Sequence, residues 1–404
     1  MTAPTRLYQQ IEDQIMHQAG PTLRLTSGRR LAALVTGILG SEDCAMRRVA
    51  RELRAMGVRP VQETSTIRRL RRTLADARLD DGAGYGAAVR AVVEWPTSAP
   101  VVLALDESAT PGGLRVLRLS RTYRGSCVPL AWAVWPHQQP LPRGAYRRHL
   151  EAVPTQVQAM LPPTLPVVVL ADRAYDVPAV IDRLTALGWD WIIRVKARSQ
   201  LRWRDDADPQ APEQRVRDLV GAALARPGQR LRATGWAFKK AGWRPVNLVG
   251  EWGQGYAEPL VVLTSLAPRW TVLSQYGRRF WIEAAFRQDQ SHGWDWHLSQ
   301  VRQPAHQARL LLALAWASLL VLSLGAQQAA GAVAARRARP HPWPKPTHPR
   351  DSLFSLGLGQ VRARLYGTVR GRVPWRLPRP THPSWCAEWL AVHQPLPLSQ
   401  SVTP

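Results

Sequence analysis

Two short apolar runs, residues 101–105 and 165–170, each lead into an aspartate, Asp106 and Asp172. Apolar, β-branched runs of about four to eight residues bounded by turns read as strands. Residues 114–119 and 128–134 are two further strand candidates, separated by Gly- and Pro-containing turns. Residues 146–160 and 177–187 have the pattern of helices, and residues 189–195 return to a strand. Strands that alternate with helices predict an α/β sheet. In an open sheet of that kind, ligands bind beyond the C-terminal ends of the strands. Both aspartates fall there, and neighbouring strands would place their carboxylates in one site.

The segments on either side differ in character. Residues 1–92 read as a helical region, and residues 96–100, bracketed by Pro96 and Pro100, make a linker. Met46, Val49, Leu53 and Met56 recur at helical spacing, then Gly57 and Pro60 break the chain. A second helix is expected to start near Thr64 or Thr66, either of which can cap it. It carries Ile67, Leu70 and Leu74 on one side, with Arg68, Arg69, Arg71 and Arg72 beside them. Helix, turn and Arg-rich helix outline a DNA-binding helix-turn-helix; a helical pair with a solvated basic face has the same outline.

Residues 99–196 then form the first half of an α/β core. Residues 197–272 are rich in Trp, Arg, Gly and Pro, with short β-like runs such as 260–264, and read as a mainly β insertion. Residues 273–335 would complete the core, with a helix over 276–290 and an apolar helix from about 305. Residues 336–404 form a basic, Pro-rich tail that opens on Arg336, Arg337 and Arg339.

Charge narrows the function. The chain carries 54 Lys+Arg against 29 Asp+Glu, a formal net charge of +25. A GC-rich genome accounts for Arg over Lys but not for so few acids, and an excess of this size points to nucleic acid. Cys44, Cys127 and Cys386 lie far apart, without metal-ligand spacing, which fits a reducing cytosol. Residues 310–326 are almost wholly apolar. They fall slightly short of the roughly 20 residues a membrane span needs, so a helix buried in a protein core is expected and no membrane.

Phosphodiester chemistry without a covalent intermediate calls for divalent cations, which take carboxylate oxygens as ligands. Asp106 and Asp172 supply two. A third is sought on the helix that bears Tyr276, Arg279 and Glu283, whose offsets place all three on roughly one face. That face could turn the acid toward metal and the Tyr and Arg toward the DNA backbone.

These residues resemble a family. Tyr276, Arg279 and Glu283 look like the Tyr-Arg-Glu-Lys motif of bacterial insertion-sequence transposases of the DDE type. The runs 103–108 around Asp106, 168–176 around Asp172 and 282–287 around Glu283 resemble the family's three acidic segments, over roughly residues 100–330. The resemblance implies a ribonuclease-H-like catalytic core interrupted by a β insertion. It implies Asp106, Asp172 and Glu283 as catalytic metal ligands for Mg²⁺ or Mn²⁺, two ions in all, with Tyr276 and Arg279 on the transposon end. It implies cleavage at the element's ends to liberate 3′-hydroxyls, strand transfer into target DNA, a homodimer assembled on DNA, and a cytoplasmic, nucleoid-associated protein.

The motif's Lys position, seven residues after the Glu, holds Gln290. Arg287, one turn after Glu283, could substitute for it on DNA. Arg173, beside Asp172, either pairs with that Asp or reaches phosphate. Glu107 reads as structural or as a support to the metal ligands, and Asp176 as the N-cap of the helix that follows. His292 either approaches the metal or is simply a helix-end residue, the more common case. Among 18 Trp, Trp252 is a candidate for stacking a flipped base, as some relatives do. The rival readings are a nuclease that cuts without joining, a catalytically inactive or domesticated DNA-binding protein derived from a transposase, and a membrane protein anchored by residues 310–326.

Overall fold

The computed structural model describes residues 2–19, 23–79, 83–96, 99–110, 112–139, 141–206, 212–338 and 352–379. Five helices come first: α1 (Ala3–Ala19), α2 (Leu25–Ser41), α3 (Met46–Ala55), α4 (Glu63–Ala75) and α5 (Ala83–Val92). Then follow β1 (Val101–Ala109), β2 (Leu114–Tyr123), β3 (Ser126–Pro136), α6 (Ala145–Gln158), β4 (Val167–Ala171), α7 (Pro178–Ala186) and β5 (Asp190–Val195). Next come β6 (Arg202–Asp205), β7 (Gln214–Arg215), α8 (Val216–Ala223), β8 (Arg230–Ala237), β9 (Arg244–Glu251) and β10 (Leu260–Thr264). The last helices are α9 (Thr271–Tyr276), α10 (Phe280–Gln290), α11 (Pro304–Ala338) and α12 (Leu353–Leu365).

Contacts gather these elements into two compact units. One comprises Met1–Pro96, Glu107–Pro163 and the described residues from Glu283 onward; the other comprises Thr97–Asp106 and Thr164–Ile282. The division cuts β1 after Asp106 and α10 before Glu283.

The second unit is built on a sheet in which β1, β4, β5, β10, β9, β8, β6 and β7 lie side by side in that order. β1, β4 and β5 run parallel. From β10 outward every pairing is antiparallel. Among the parallel strands β4 is wholly apolar and buried along its whole length, as expected where both faces of a sheet are covered. Val102, Val168, Leu170, Ile192, Val249 and Val262 make its core. Residues 197–272, read from sequence as an insertion, thus continue the sheet: β10 pairs directly with β5, and α8 adds a helix to them.

The first unit contains the hairpin β2–β3. Its two-residue turn, Arg124 and Gly125, has φ of 47° and 84°, the paired left-handed conformation that matches the twist of the flanking strands. A buried ion pair from Arg118 on β2 to Asp289 on α10 ties the hairpin to that helix. The Arg118 guanidinium also lies 4.0 Å over the Phe286 ring. The Ser126 hydroxyl donates to Gln288 Oε1 at 2.8 Å. These contacts fix the helix that carries Glu283.

α11 is the central helix of this unit. It is apolar on all sides, and a helix of that kind must be buried on all sides. By length and composition Pro304–Gly331 could cross a membrane, but 94% of its most apolar window is buried within the protein. α2, α4, β3 and α12 pack on it. Against α12 the backbones nearly touch: a Cβ at Gly325 would stand 1.9 Å from the Leu353 carbonyl oxygen, and one at Gly357 would stand 1.9 Å from that of Val321. Part of the segment read as a tail is therefore folded. Leu377 bridges to Val93, and Arg376 pairs with Glu94. Residues 339–351, which hold much of the Pro-rich part of the expected tail, lie outside the described residues.

Three local expectations are corrected. α4 starts at Glu63, with Gln62 at its N-cap and no side-chain cap, so neither Thr64 nor Thr66 caps it; the Thr66 hydroxyl bonds back to the Gln62 carbonyl. Asp106 does not end its strand, which continues to Ala109. The single helix expected over 276–290 begins earlier, at Thr271, and tightens part-way: α9 ends at Tyr276, a 3₁₀ turn spans Gly277–Arg279 and α10 begins at Phe280, with the backbone in the right-handed helical region at Tyr276, Gly277 and Phe280. Gly277, a poor helix former, stands at the turn.

Candidate active site

Within the second unit, register sets the two aspartates side by side. Leu105 pairs with Ala171 across the parallel β1–β4 ladder, and Asp106 and Asp172 are the next residues on each strand. Adjacent strands lie about 4.8 Å apart, so the two carboxylates share one edge. The five residues before each are buried, while both aspartates are partly exposed. Asp172 has a structural duty as well: its Oδ1 accepts the Ala174 backbone N–H at 2.6 Å, the local turn that Asp side chains favour.

Arg279 closes over Asp106. Its Nη1 donates to Asp106 Oδ2 at 3.2 Å, and the residue is 6% exposed. Tyr276 is fully buried in the core beside Val102 and Val168, and its hydroxyl has no hydrogen-bond partner among the described residues. Burial pushes this phenol up to about 12; Arg279 and Arg194 oppose the shift, and Asp172 and Asp106 add to it. Tyr276 and Arg279, expected to face DNA, are both interior residues here. Arg194 was not singled out in the sequence. Its signal is a lone cation inside the apolar run that follows Asp190 in β5, and its Nη2 donates to Glu258 Oε1 at 2.8 Å.

Asp176 is not a helix cap: Val177 holds the N-cap position of α7. Its carboxyl is pushed up to about 6 by burial, with Asp172 adding and Lys196 opposing. A carboxyl raised in the folded state favours folding only while it is protonated. Its contribution is present below the ordinary value of 3.8 and is lost as pH rises through about 6. Asp176→Asn is therefore expected to raise the melting temperature above pH ~6 and to change nothing below pH ~3.8. Equal melting curves for the two proteins across that range would refute the burial.

Glu283 begins the first unit's part of α10, on a partly exposed side of the helix. Arg287, one turn on, is exposed. Gln290, at the motif's Lys position, donates from Nε2 to Ser108 Oγ at 2.7 Å and so holds the end of β1. Glu107 accepts from Tyr146 and Arg115 and is structural, as expected. His292 closes α10 beside Ser291.

The remaining candidates are dispersed. Arg173 is exposed and lies 4.0 Å from Glu258 rather than pairing with Asp172. Arg68, Arg69, Arg71 and Arg72 are all exposed on α4 in the first unit. Trp252 is half-buried, with its ring N–H donated to the Tyr256 carbonyl at 2.8 Å.

Two carboxylates on one sheet edge offer the hard oxygen ligands that Mg²⁺ or Mn²⁺ takes, so the donor chemistry fits such an ion. Among the described residues no group of three or more His, Cys, Asp or Glu is gathered to hold one.

Residues 145–320 match the family model described as Transposase DDE domain. The DDE-domain match takes in Asp172, Tyr276, Arg279 and Glu283; Asp106 precedes it. Among curated proteins none matches the chain. Among solved structures, a piggyBac transposase synaptic complex with hairpin DNA is similar at 9% identity and a TM-score of 0.39, covering 96% of this chain and 83% of that one.

Proposed function

We propose that the protein is a DDE-type DNA transposase that cleaves phosphodiester bonds at the ends of a mobile element and transfers the resulting strands into target DNA. The observation that carries this is the register of the adjacent parallel strands β1 and β4, which sets Asp106 beside Asp172 just past the Leu105–Ala171 pair, together with the DDE-domain match over 145–320. The parallel core with its antiparallel extension supports a ribonuclease-H-like reading of the catalytic unit. Glu283 is assigned as the third carboxylate on its motif and on its place in the first turn of α10.

When bound, Mg²⁺ or Mn²⁺ supplies charge neutralisation at the reacting phosphate and activation of the attacking oxygen. The chain's own residues do the rest. Asp106 and Asp172 present carboxylate oxygens from rigid strands, which fixes where the phosphate is attacked. Arg279 balances the charge of Asp106 until a cation competes for that oxygen. The net charge of +25 draws DNA to the surface, with the α4 arginines and Arg287 as contacts. Pairing of two element ends calls for a homodimer on DNA, and the site of action would be the cytoplasmic nucleoid.

The test is incubation with DNA that carries the element's own ends, with Mg²⁺ or Mn²⁺. Nicks at the ends and joined products are expected. Cutting without joining would make the protein a nuclease. Intact DNA with binding preserved would favour an inactive, transposase-derived DNA-binding protein. Binding itself is expected to weaken steeply and linearly in log–log form with salt, as counterions are displaced. An affinity that does not change between low and physiological salt would remove the electrostatic basis of the assignment.

A further inference from the structure

We infer that a groove in the first unit, between α4 and the 298–303 loop, is a binding site for an unpaired DNA strand. The groove encloses about 730 Å³. Arg47 at the start of α3, Arg71 on α4 and Arg302 on the loop line it, with His306 of α11 beside them. No acid lines it. Two acids stand behind the lining: Asp43 accepts the Ala45 N–H and pairs with Arg48, and Glu63 lies 4.0 Å from Arg47. Arg71 and Arg302 are exposed and make no hydrogen bond or ion pair among the described residues. Two unpaired guanidinium groups from segments more than two hundred residues apart thus face one cavity. Guanidinium groups grip phosphate with several donors in a fixed plane.

The rest of the lining decides what the anion is attached to. Ile67, Leu74 and Leu298 supply apolar surface between the arginines. A basic rim over an apolar floor suits a phosphodiester whose base has left its stack. The volume is that of a small-ligand pocket, which suits nucleotides of one strand and not the width of a duplex. The groove also opens at the start of α11, where backbone N–H groups without helical partners favour an anion. Arg68 and Arg72 extend the positive surface along the lip of α4. The wall formed by the loop is held in place: a Cβ at Gly112 would stand 2.8 Å from the Val301 carbonyl oxygen.

This inference rests on the reading of the protein as a DNA enzyme, and the experiment separates the two. Full-length protein would be titrated against a fluorescein-labelled single strand and against the matching duplex, at several salt concentrations. Arg71→Ala, Arg302→Ala and the double variant would be compared with native protein and with Arg226→Ala, an exposed position in the other unit. Both side chains are exposed and unpartnered, so unchanged melting temperatures are expected. The double variant should lose roughly tenfold or more in single-strand affinity, and its salt slope should fall by about 1 per arginine. Arg226→Ala should match the native protein. Native DNA binding with the double variant indistinguishable on the single strand would overturn the groove alone. No DNA binding by the native protein would overturn the enzyme reading and the groove with it.

Discussion

Asp172→Asn and Asp172→Ala are both expected to reduce metal-dependent DNA cleavage by about 10³-fold or more, because removing one carboxylate from the site forfeits several kcal/mol of charge stabilisation in the transition state. The pair of variants separates two roles that coexist at this residue. Asp172 Oδ1 accepts the Ala174 N–H and builds the turn after β4. Asparagine keeps that acceptor and tolerates the same turn, so it should retain the native melting temperature. Alanine loses the bond and should melt earlier, by the equivalent of about 1 kcal/mol. If the residue served the turn alone, asparagine would restore cleavage; activity of Asp172→Asn near the native rate would therefore remove Asp172 from the chemistry. Asp106→Asn should behave alike in cleavage. It also removes the negative charge that Arg279 Nη1 meets at Asp106, and weakening that buried ion pair should cost stability.

The second large effect is structural. Gly357→Ala should destabilise the first unit by about 3 kcal/mol, seen as a fall in melting temperature on the order of 5 °C. A methyl group there would stand 1.9 Å from the Val321 carbonyl oxygen, and backbone cannot swing aside as a side chain can. Gly325→Ala, at the reciprocal contact with Leu353, should cost a similar amount. Gly359, two residues along α12, has nothing within 4 Å of its Cβ position. Gly359→Ala should be neutral or slightly stabilising, by up to about 1 kcal/mol from helix propensity. Equal melting temperatures for Gly357→Ala and Gly359→Ala would mean that α11 and α12 do not cross where the structure places them. Since α11 is the core of the unit that holds Glu283, the loss should also reduce cleavage.

Much of the second unit was legible along the chain. The runs at 101–105, 165–170 and 189–195 became β1, β4 and β5, because short β-branched stretches between turns have few other ways to bury their side chains. The strand at 260–264 matches β10 in both bounds. The apolar helix after 304 was legible as a core element from its composition, although it extends to Ala338. The two aspartates were legible because both follow such runs.

Other features depended on distant residues and could not be read locally. Tyr276 and Arg279 have a spacing that suits one helical face, but only the packing shows that Tyr276 is buried in the core of the sheet and that Arg279 meets Asp106. Asp176 looks like a helix cap until burial beside Asp172 raises its carboxyl. Residues 197–272 read as a mainly β insertion, and the sequence does not show that β10 pairs with β5. Residues 353–365 look like tail because they carry little amphipathic pattern; Gly325 and Gly357 let α12 settle backbone to backbone on α11. By itself the sequence determined the strands, the apolar core helix, the excess positive charge and the identity of the acids, since each follows from neighbouring residues or from composition. The tertiary structure alone decided which of those acids share an edge and which cations turn inward to meet them, since burial and Coulomb interaction act between residues brought together only when the chain folds.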